Sequence, residues 1–218
     1  MTLPAESASD PCVAMVELLR TRYGFVDGRV MAAMRRVRRD RFVPERCRLS
    51  DDPFGDHPVQ IGRDQTVSQP YIVALMTSWL DVRAGMRVLE VGTGSGYQAA
   101  VLAELGAEVN SVERIPELAK WARQALDAEG YGRVRVHVGD GYAGWPEGAP
   151  YEGIILTCAP AAIPAALLDQ LADGGGLVGP IGLEMQHLVR IRRQGSSFEE
   201  ACGIGVRFVP MVPVGRSV

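Results

Sequence analysis

VLEVGTGSGYQAA, residues 88–100, runs from an apolar strand through three alternating glycines, Gly92, Gly94 and Gly96, into the start of a helix. Glycines placed there let the chain turn sharply and approach a ligand with no Cβ in the way. The helix that follows offers free N–H groups and the positive end of its dipole. Thr93 and Ser95 complete the loop. The stretch reads as strand, ligand-binding turn, helix.

Downstream, short apolar runs (Arg87–Val91, Glu108–Val112, Val134–Val138, Gly153–Thr157, Gly176–Pro180) alternate with helical patterns at Tyr97–Leu105, Pro116–Glu129 and Pro164–Leu171. Such alternation implies βαβ units. The expected fold is α/β: a doubly wound, mostly parallel sheet with helices on both faces, Rossmann-like, preceded by N-terminal helices. In these sheets ligands bind outside the carboxyl ends of the strands. Three consecutive strand ends carry candidate groups: the glycine turn, then Glu113, whose carboxylate can accept both hydroxyls of a ribose, then Asp140-Gly141, facing an exocyclic amine such as adenine N6. An acidic residue after the second strand suits nicotinamide cofactors and S-adenosylmethionine alike. The dinucleotide fingerprint wants its third glycine where Tyr97 stands, so the GxGxG spacing favours S-adenosylmethionine.

Upstream, apolar residues recur at helical spacing from Cys12 to about Val43, broken at Tyr23-Gly24-Phe25, which predicts two amphipathic helices. The second carries Arg35, Arg36, Arg38, Arg39 and Arg41, expected to form a solvated face. Residues 44–68, rich in Pro, Gly and Asp, read as an irregular segment. A helix is expected over Pro70–Leu80, Pro70 suiting its first turn. At the carboxyl end, Leu188–Arg192 and Gly205–Val212 read as two further strands. One domain over 1–218 is expected: N-terminal helices and a substrate-side loop (1–80), a cofactor-binding core (81–182) and C-terminal strands (183–218).

With 47% hydrophobic and 22% charged residues the chain can bury a substantial core. Its net charge of -3 and pI near 5.7 give no general attraction to phosphate backbones, which argues against a nucleic-acid partner. Cys12, Cys47, Cys158 and Cys202 lack metal-ligand spacing, so no metal is expected, and Cys158 reads as a buried thiol. No apolar run approaches a membrane span, and MTLPAESASDPC at the start lacks a leader pattern, so a cytoplasmic protein is expected. Oligomeric state has no signature here; a monomer is the simplest expectation.

Six stretches carry a resemblance: RDRFVPE (39–45), PVQIGRDQTVSQPY (58–71), VLEVGTGSGYQAAVLAEL (88–105), SVERIPELA (111–119), GDGYAGWPEGAPYEGIILTCAP (139–160) and VRFVPMV (206–212). Together they resemble the protein-L-isoaspartate O-methyltransferases. The resemblance implies methyl transfer from S-adenosylmethionine, leaving S-adenosylhomocysteine, to the α-carboxylate of an L-isoaspartyl residue in a damaged protein or peptide. It implies Ser68 at the meeting point of cofactor and substrate. Gln65, Thr66 and Arg114 would join Gly92, Thr93, Gly94, Ser95, Gly96, Glu113, Asp140 and Gly141 around the cofactor. Ala159, Pro160, Val206 and Phe208 would help form the peptide cleft. The chain departs from the family at Cys158, commonly a small apolar residue, at Glu152, commonly Asp, and across 51–61, usually closer to Tyr-x-Asp-x-x-Leu-Pro-Ile-Gly.

His57, His137 and His187 sit beside no second member of a catalytic triad, and His137 alternates with valines as a strand residue would. Trp121 and Trp145 read as packing residues. Two other activities fit the same motifs: methylation of an aspartate in a biosynthetic peptide, giving aspartimide, and cofactor binding without catalysis. The short tail after VRFVPMV favours repair over the first, and the Ser68 segment favours catalysis over the second.

Overall fold

The computed structural model describes residues 10–213 and 215. The stretch read for a leader therefore lies largely outside the described residues, as do the last residues of the C-terminal segment.

β3 (Arg87–Val91), β4 (Glu108–Glu113), β5 (Arg135–Val138), β6 (Tyr151–Leu156) and β7 (Leu171–Ile181) form a parallel sheet in the order β5-β4-β3-β6-β7. β8 (Gln186–Gln194) and β9 (Ser197–Val206) extend it antiparallel beyond β7. The chain winds outward from β3 to β5, then returns to β6 on the other side of β3. The strand order thus reverses between β3 and β6, where ligands of such sheets bind.

Period-two alternation divides the core. Val88, Ile155 and Val178 face one apolar cluster, with α1 (Pro11–Tyr23), α2 (Gly28–Arg36), α4 (Pro70–Leu80), α5 (Tyr97–Glu104) and α6 (Pro116–Ala128). Leu89, Val91, Ile154, Leu156 and Leu177 face the other, which the short α7 (Ala165–Asp169) covers through Leu167, with Trp145 and Tyr151. Helices lie on both faces as expected, but unevenly.

Three local expectations are corrected. Residues 44–68 hold a helical turn, α3 (Glu45–Arg48), and a hairpin of β1 (Val59–Gly62) with β2 (Gln65–Val67). Its two-residue turn, Arg63-Asp64, has φ of 55° and 57°, the left-handed pair that fits the twist of a tight hairpin. An Arg-Asp turn lacks the usual Asn-Gly signal, so composition suggested only a loop. Second, Arg39 is not on a solvated face: it follows α2 in a 3₁₀ turn and is wholly buried. Third, the last strand runs over Ser197–Val206, not Gly205–Val212. It is an edge strand exposed almost throughout, so no buried face imposed a pattern on it. Beyond it the described residues make a bridge, Ala159 to Pro210.

Candidate active site

A cavity of about 680 Å³ opens at the carboxyl ends of β3, β4 and β6. Gly92, Thr93, Gly94 and Ser95 line it from the loop after β3, Glu113 and Arg114 from the end of β4, Gly141 from beyond β5, and Gln65, Thr66 and Ser68 from the hairpin and its exit. Gly96 and Asp140 stand behind this wall. Gly96, at φ 85°, caps α5, and the Asp140 Oδ1 accepts the Tyr142 N–H at 2.9 Å, which fixes the turn that presents Gly141.

The loop is held by its neighbours. The N–H groups of Gly92 and Thr93 donate to the Val112 carbonyl at 2.8 and 3.3 Å, binding it to β4. At Gly92, φ is 101°, and a Cβ would come within 2.5 Å of the Thr157 Oγ1, so only glycine lets β3 and β6 close at this point. Glu113 draws the loop to β4 from the other side: its Oε2 accepts the Gly94 N–H at 2.8 Å and its Oε1 the Ile115 N–H at 2.9 Å. Burial raises its pKa and these backbone N–H groups oppose the rise. The carboxylate keeps acceptor capacity beyond these bonds and lines the cavity, which suits a ligand hydroxyl.

A second cavity of about 730 Å³ adjoins the first, between Tyr23, Gln69 and Tyr71 on one side and Met185, Ile204, Val206 and Phe208 on the other. The two share Thr66, Ser68, Thr157 and Val209. Ser68 thus lies at the junction. Ala159 and Pro160 are buried and line neither cavity. The Ala159 N–H instead donates to the Val209 carbonyl at 2.9 Å and its carbonyl accepts the Met211 N–H at 2.7 Å, so Ala159 fastens the Val209–Met211 segment that forms the wall.

The sequence matches the family described as Protein-L-isoaspartate(D-aspartate) O-methyltransferase across residues 12–215. The chain belongs to this family. Among curated relatives, Protein-L-isoaspartate O-methyltransferase 2 of Marinobacter nauticus is 50% identical over 215 residues, 97% of each chain. The Methanoculleus marisnigri protein-L-isoaspartate O-methyltransferase is 48% identical over 94% of each. Among solved structures, a protein-L-isoaspartate O-methyltransferase superposes with a TM-score of 0.82 at 28% identity, covering 91% of this chain and 65% of the other. A second, from Plasmodium falciparum and in complex with S-adenosyl-L-homocysteine, has a TM-score of 0.80 at 23% identity, covering 92% and 97%.

In this protein-L-isoaspartate methyltransferase chain, sequence reasoning passed over Glu90. It shares the helix-rich face of β3 with Val88 and is fully buried, yet lines the first cavity. The Ser111 hydroxyl donates a short hydrogen bond to Oε2, and the Thr93 hydroxyl meets Ser111 at 2.6 Å. Oε1 has no partner. Burial pushes the carboxyl up to about 8. The signal was available: a carboxylate between two apolar residues of the strand, two residues before the first glycine. Cys158 also lines the cavity, its thiol pushed up to about 12 by burial and by the nearby Glu113 and Glu90, which leaves it unreactive. His137 stacks on Trp145 at 3.8 Å and its Nε2 lies 3.0 Å from the Asn110 Oδ1, away from both cavities. No group of three or more His, Cys, Asp or Glu among the described residues could hold a metal, and no helix there is long and apolar enough to cross a membrane.

Proposed function

We propose that the first cavity holds S-adenosylmethionine and the second a polypeptide around its isoaspartyl residue, the two meeting at Ser68. The observation that carries this reading is the junction itself: Ser68 lines both cavities, between a chamber of mixed polarity and a more apolar groove. As a member of its family the chain methylates isoaspartyl residues with S-adenosylmethionine in protein repair.

The residues fit the cofactor. A 680 Å³ chamber is within the range of small-molecule sites. Glu113 takes the ribose hydroxyls. Gly141, with Asp140 behind it, and Arg114 serve the adenosine end. The Gly92–Gly96 loop, with Thr93 and Ser95, takes the amino-acid end, beside the buried, unpartnered Oε1 of Glu90, which suits a cationic amino group. Gln65 and Thr66 close the chamber from the hairpin.

When bound, S-adenosylmethionine supplies a methyl group on a sulfonium. The peptide α-carboxylate oxygen forms a bond to that carbon as the carbon–sulfur bond breaks, and no proton moves. An α-carboxyl group has a reference pKa of ~3.3–3.7 and is ionised at neutral pH, so the protein supplies no base. Its task is to align oxygen, carbon and sulfur. The Ser68 hydroxyl orients the carboxylate by donating a hydrogen bond, while the groove at Val206 and Phe208 grips the extended backbone on either side.

The same reading takes 1–218 as one domain, working as a cytoplasmic monomer on polypeptide and on neither nucleic acid nor membrane. The net charge of -3 supports the exclusion of nucleic acid. The test is a matched pair of peptides, identical but for Asp or isoAsp, incubated with labelled methyl donor. Label is expected in the isoAsp peptide alone; equal methylation of both would overturn the assignment of the groove.

A further inference from the structure

The side chain of Asp56, in the loop between α3 and β1, is only 2% exposed. Three of the residues around it, Tyr23, Gln69 and Tyr71, line the groove. The Tyr23 hydroxyl donates to Oδ2 at 2.6 Å, the Gln69 Nε2 donates to the same oxygen at 3.0 Å, and the Tyr71 N–H donates to Oδ1 at 3.2 Å. The Arg22 Nη1 stands 3.9 Å from Oδ2. One carboxylate thus joins the end of α1 to the residue after Ser68 and to the first turn of α4.

The start of α4 depends on it. The cap residue Gln69 makes no side-chain cap bond of its own, and Pro70 has no N–H. Tyr71 therefore has the first N–H of the helix in need of an acceptor, and Asp56 provides one, with its charge at the positive end of the dipole. Tyr71 in turn stacks on Tyr23 with ring centres 3.8 Å apart, and both rings line the groove.

The loop is held from behind by Arg39. Its Nε donates to the Pro53 carbonyl at 2.7 Å and its Nη2 to the His57 carbonyl at 3.4 Å, one on each side of Asp56. The guanidinium lies over the Tyr97 ring, 5.0 Å from its centre.

We infer that Asp56 is a positioning residue for the methyl acceptor: through Gln69 and the first turn of α4 it fixes Ser68 where the two cavities meet. This rests on the role proposed for Ser68. Misplacing a reacting group by about 1 Å costs on the order of 10²-fold in rate, so the effect belongs in the chemical step and not in cofactor binding.

The test uses the full chain and the variants Asp56→Asn, Ser68→Ala and both together, with Gln69→Leu as a second way to cut the link should Asp56→Asn unfold. Single-turnover methylation of an isoAsp peptide at saturating S-adenosylmethionine and peptide is measured beside calorimetric affinity for S-adenosylhomocysteine. Asp56→Asn and Gln69→Leu are each expected to slow turnover roughly tenfold to hundredfold with affinity within about threefold of the parent. Added to Ser68→Ala, Asp56→Asn is expected to slow it by less than about threefold more, because coupled residues are not additive. A parental rate in Asp56→Asn, or full multiplication of the two losses, overturns the inference and leaves Ser68 in place. A parental rate in Ser68→Ala removes the role of Ser68 and the inference with it.

Discussion

The proposed cofactor chamber and the proposed peptide groove share four residues, yet they are assembled from different lengths of chain. Much of the chamber is strand ends. Gly92–Ser95 follow β3, Glu113 ends β4 and Gly141 lies beyond β5, and bonds from the loop N–H groups to the Val112 carbonyl and the Glu113 carboxylate hold the glycine loop to β4. The groove gathers Tyr23 from α1, Gln69 and Tyr71 around the start of α4 and Ile204–Phe208 from the carboxyl end. On its Tyr23 side, side chains contributed by a loop hold the arrangement, Asp56 foremost. A site made of strand ends inherits its geometry from the sheet. One made of distant segments needs its own fastenings, and each is a point where change can enter without touching the cofactor.

The sharpest way to break this comparison is at Glu113. Glu113→Ala removes an acceptor of the Gly94 and Ile115 N–H groups and, on the proposed reading, of the ribose. Hydrogen bonds to charged groups are worth ~1.5–3 kcal/mol, or roughly a tenfold to hundredfold loss of affinity. Calorimetry should show that loss for S-adenosylhomocysteine, while the KM for an isoAsp peptide at saturating cofactor moves by less than about threefold. An equal loss on both sides would mean that chamber and groove are one mechanical unit. An unchanged affinity would remove Glu113 from the ribose.

A smaller effect sharpens the description of the chamber. Burial holds Glu90 near 8 against an ordinary carboxyl value of 4.5. The folded chain therefore binds more protons than the unfolded chain between those values, and stability falls as pH rises through that window. Glu90→Gln should flatten the decline in a pH series of thermal unfolding. A cationic amino group at Oε1 favours the charged form and expels the proton. Binding of S-adenosylhomocysteine at pH 7, followed by calorimetry in buffers of different ionisation enthalpy, should release a proton, and the release should fade as pH rises well above the Glu90 value. Glu90→Gln should release none and lose less than about tenfold in affinity at pH 7. Release of no proton by the parent chain would place the amino group elsewhere.

The same division explains what could be read from the sequence. The parallel sheet, its helices and the chamber follow from local patterns: GTGSG turns because glycine must stand at Gly92, and Glu113 and Gly141 fall at strand ends that periodicity predicts. Glu90 was missed although its signal was local. The groove was harder. Nothing adjacent to Asp56 in sequence shows that Tyr23, 33 positions away, will donate to it. Arg39 reads as one more arginine in a charged run until the Pro53 and His57 carbonyls are brought to it. β9 is exposed along all but its last residue, so it lacks the alternation that marks a half-buried strand. The resemblance named Ser68, but only the fold shows that a hairpin with an Arg-Asp turn delivers it to the junction.

The smallest effect is expected at the histidines, and it tests whether alignment alone carries the rate. The His57 ring lies 3.5 Å from Asp51, with Nδ1 3.2 Å from the Pro58 carbonyl. His137 is occupied by Trp145 and Asn110, and His187 pairs with Gly205 where β8 meets β9. None of the three lines either cavity. A carboxylate nucleophile has no proton to lose near neutrality, so general base catalysis, usually worth ~10²–10⁴, has nothing to act on. His57→Asn, His137→Asn and His187→Asn should each leave the single-turnover rate within about threefold of the parent, far inside that range. With cofactor and peptide saturating, so that Glu90 no longer enters through binding, the rate should be flat from about pH 6 to 8. A rise with a midpoint near ~6.5 that vanishes with one histidine would show that a base is used, and that the groove contributes chemistry as well as position.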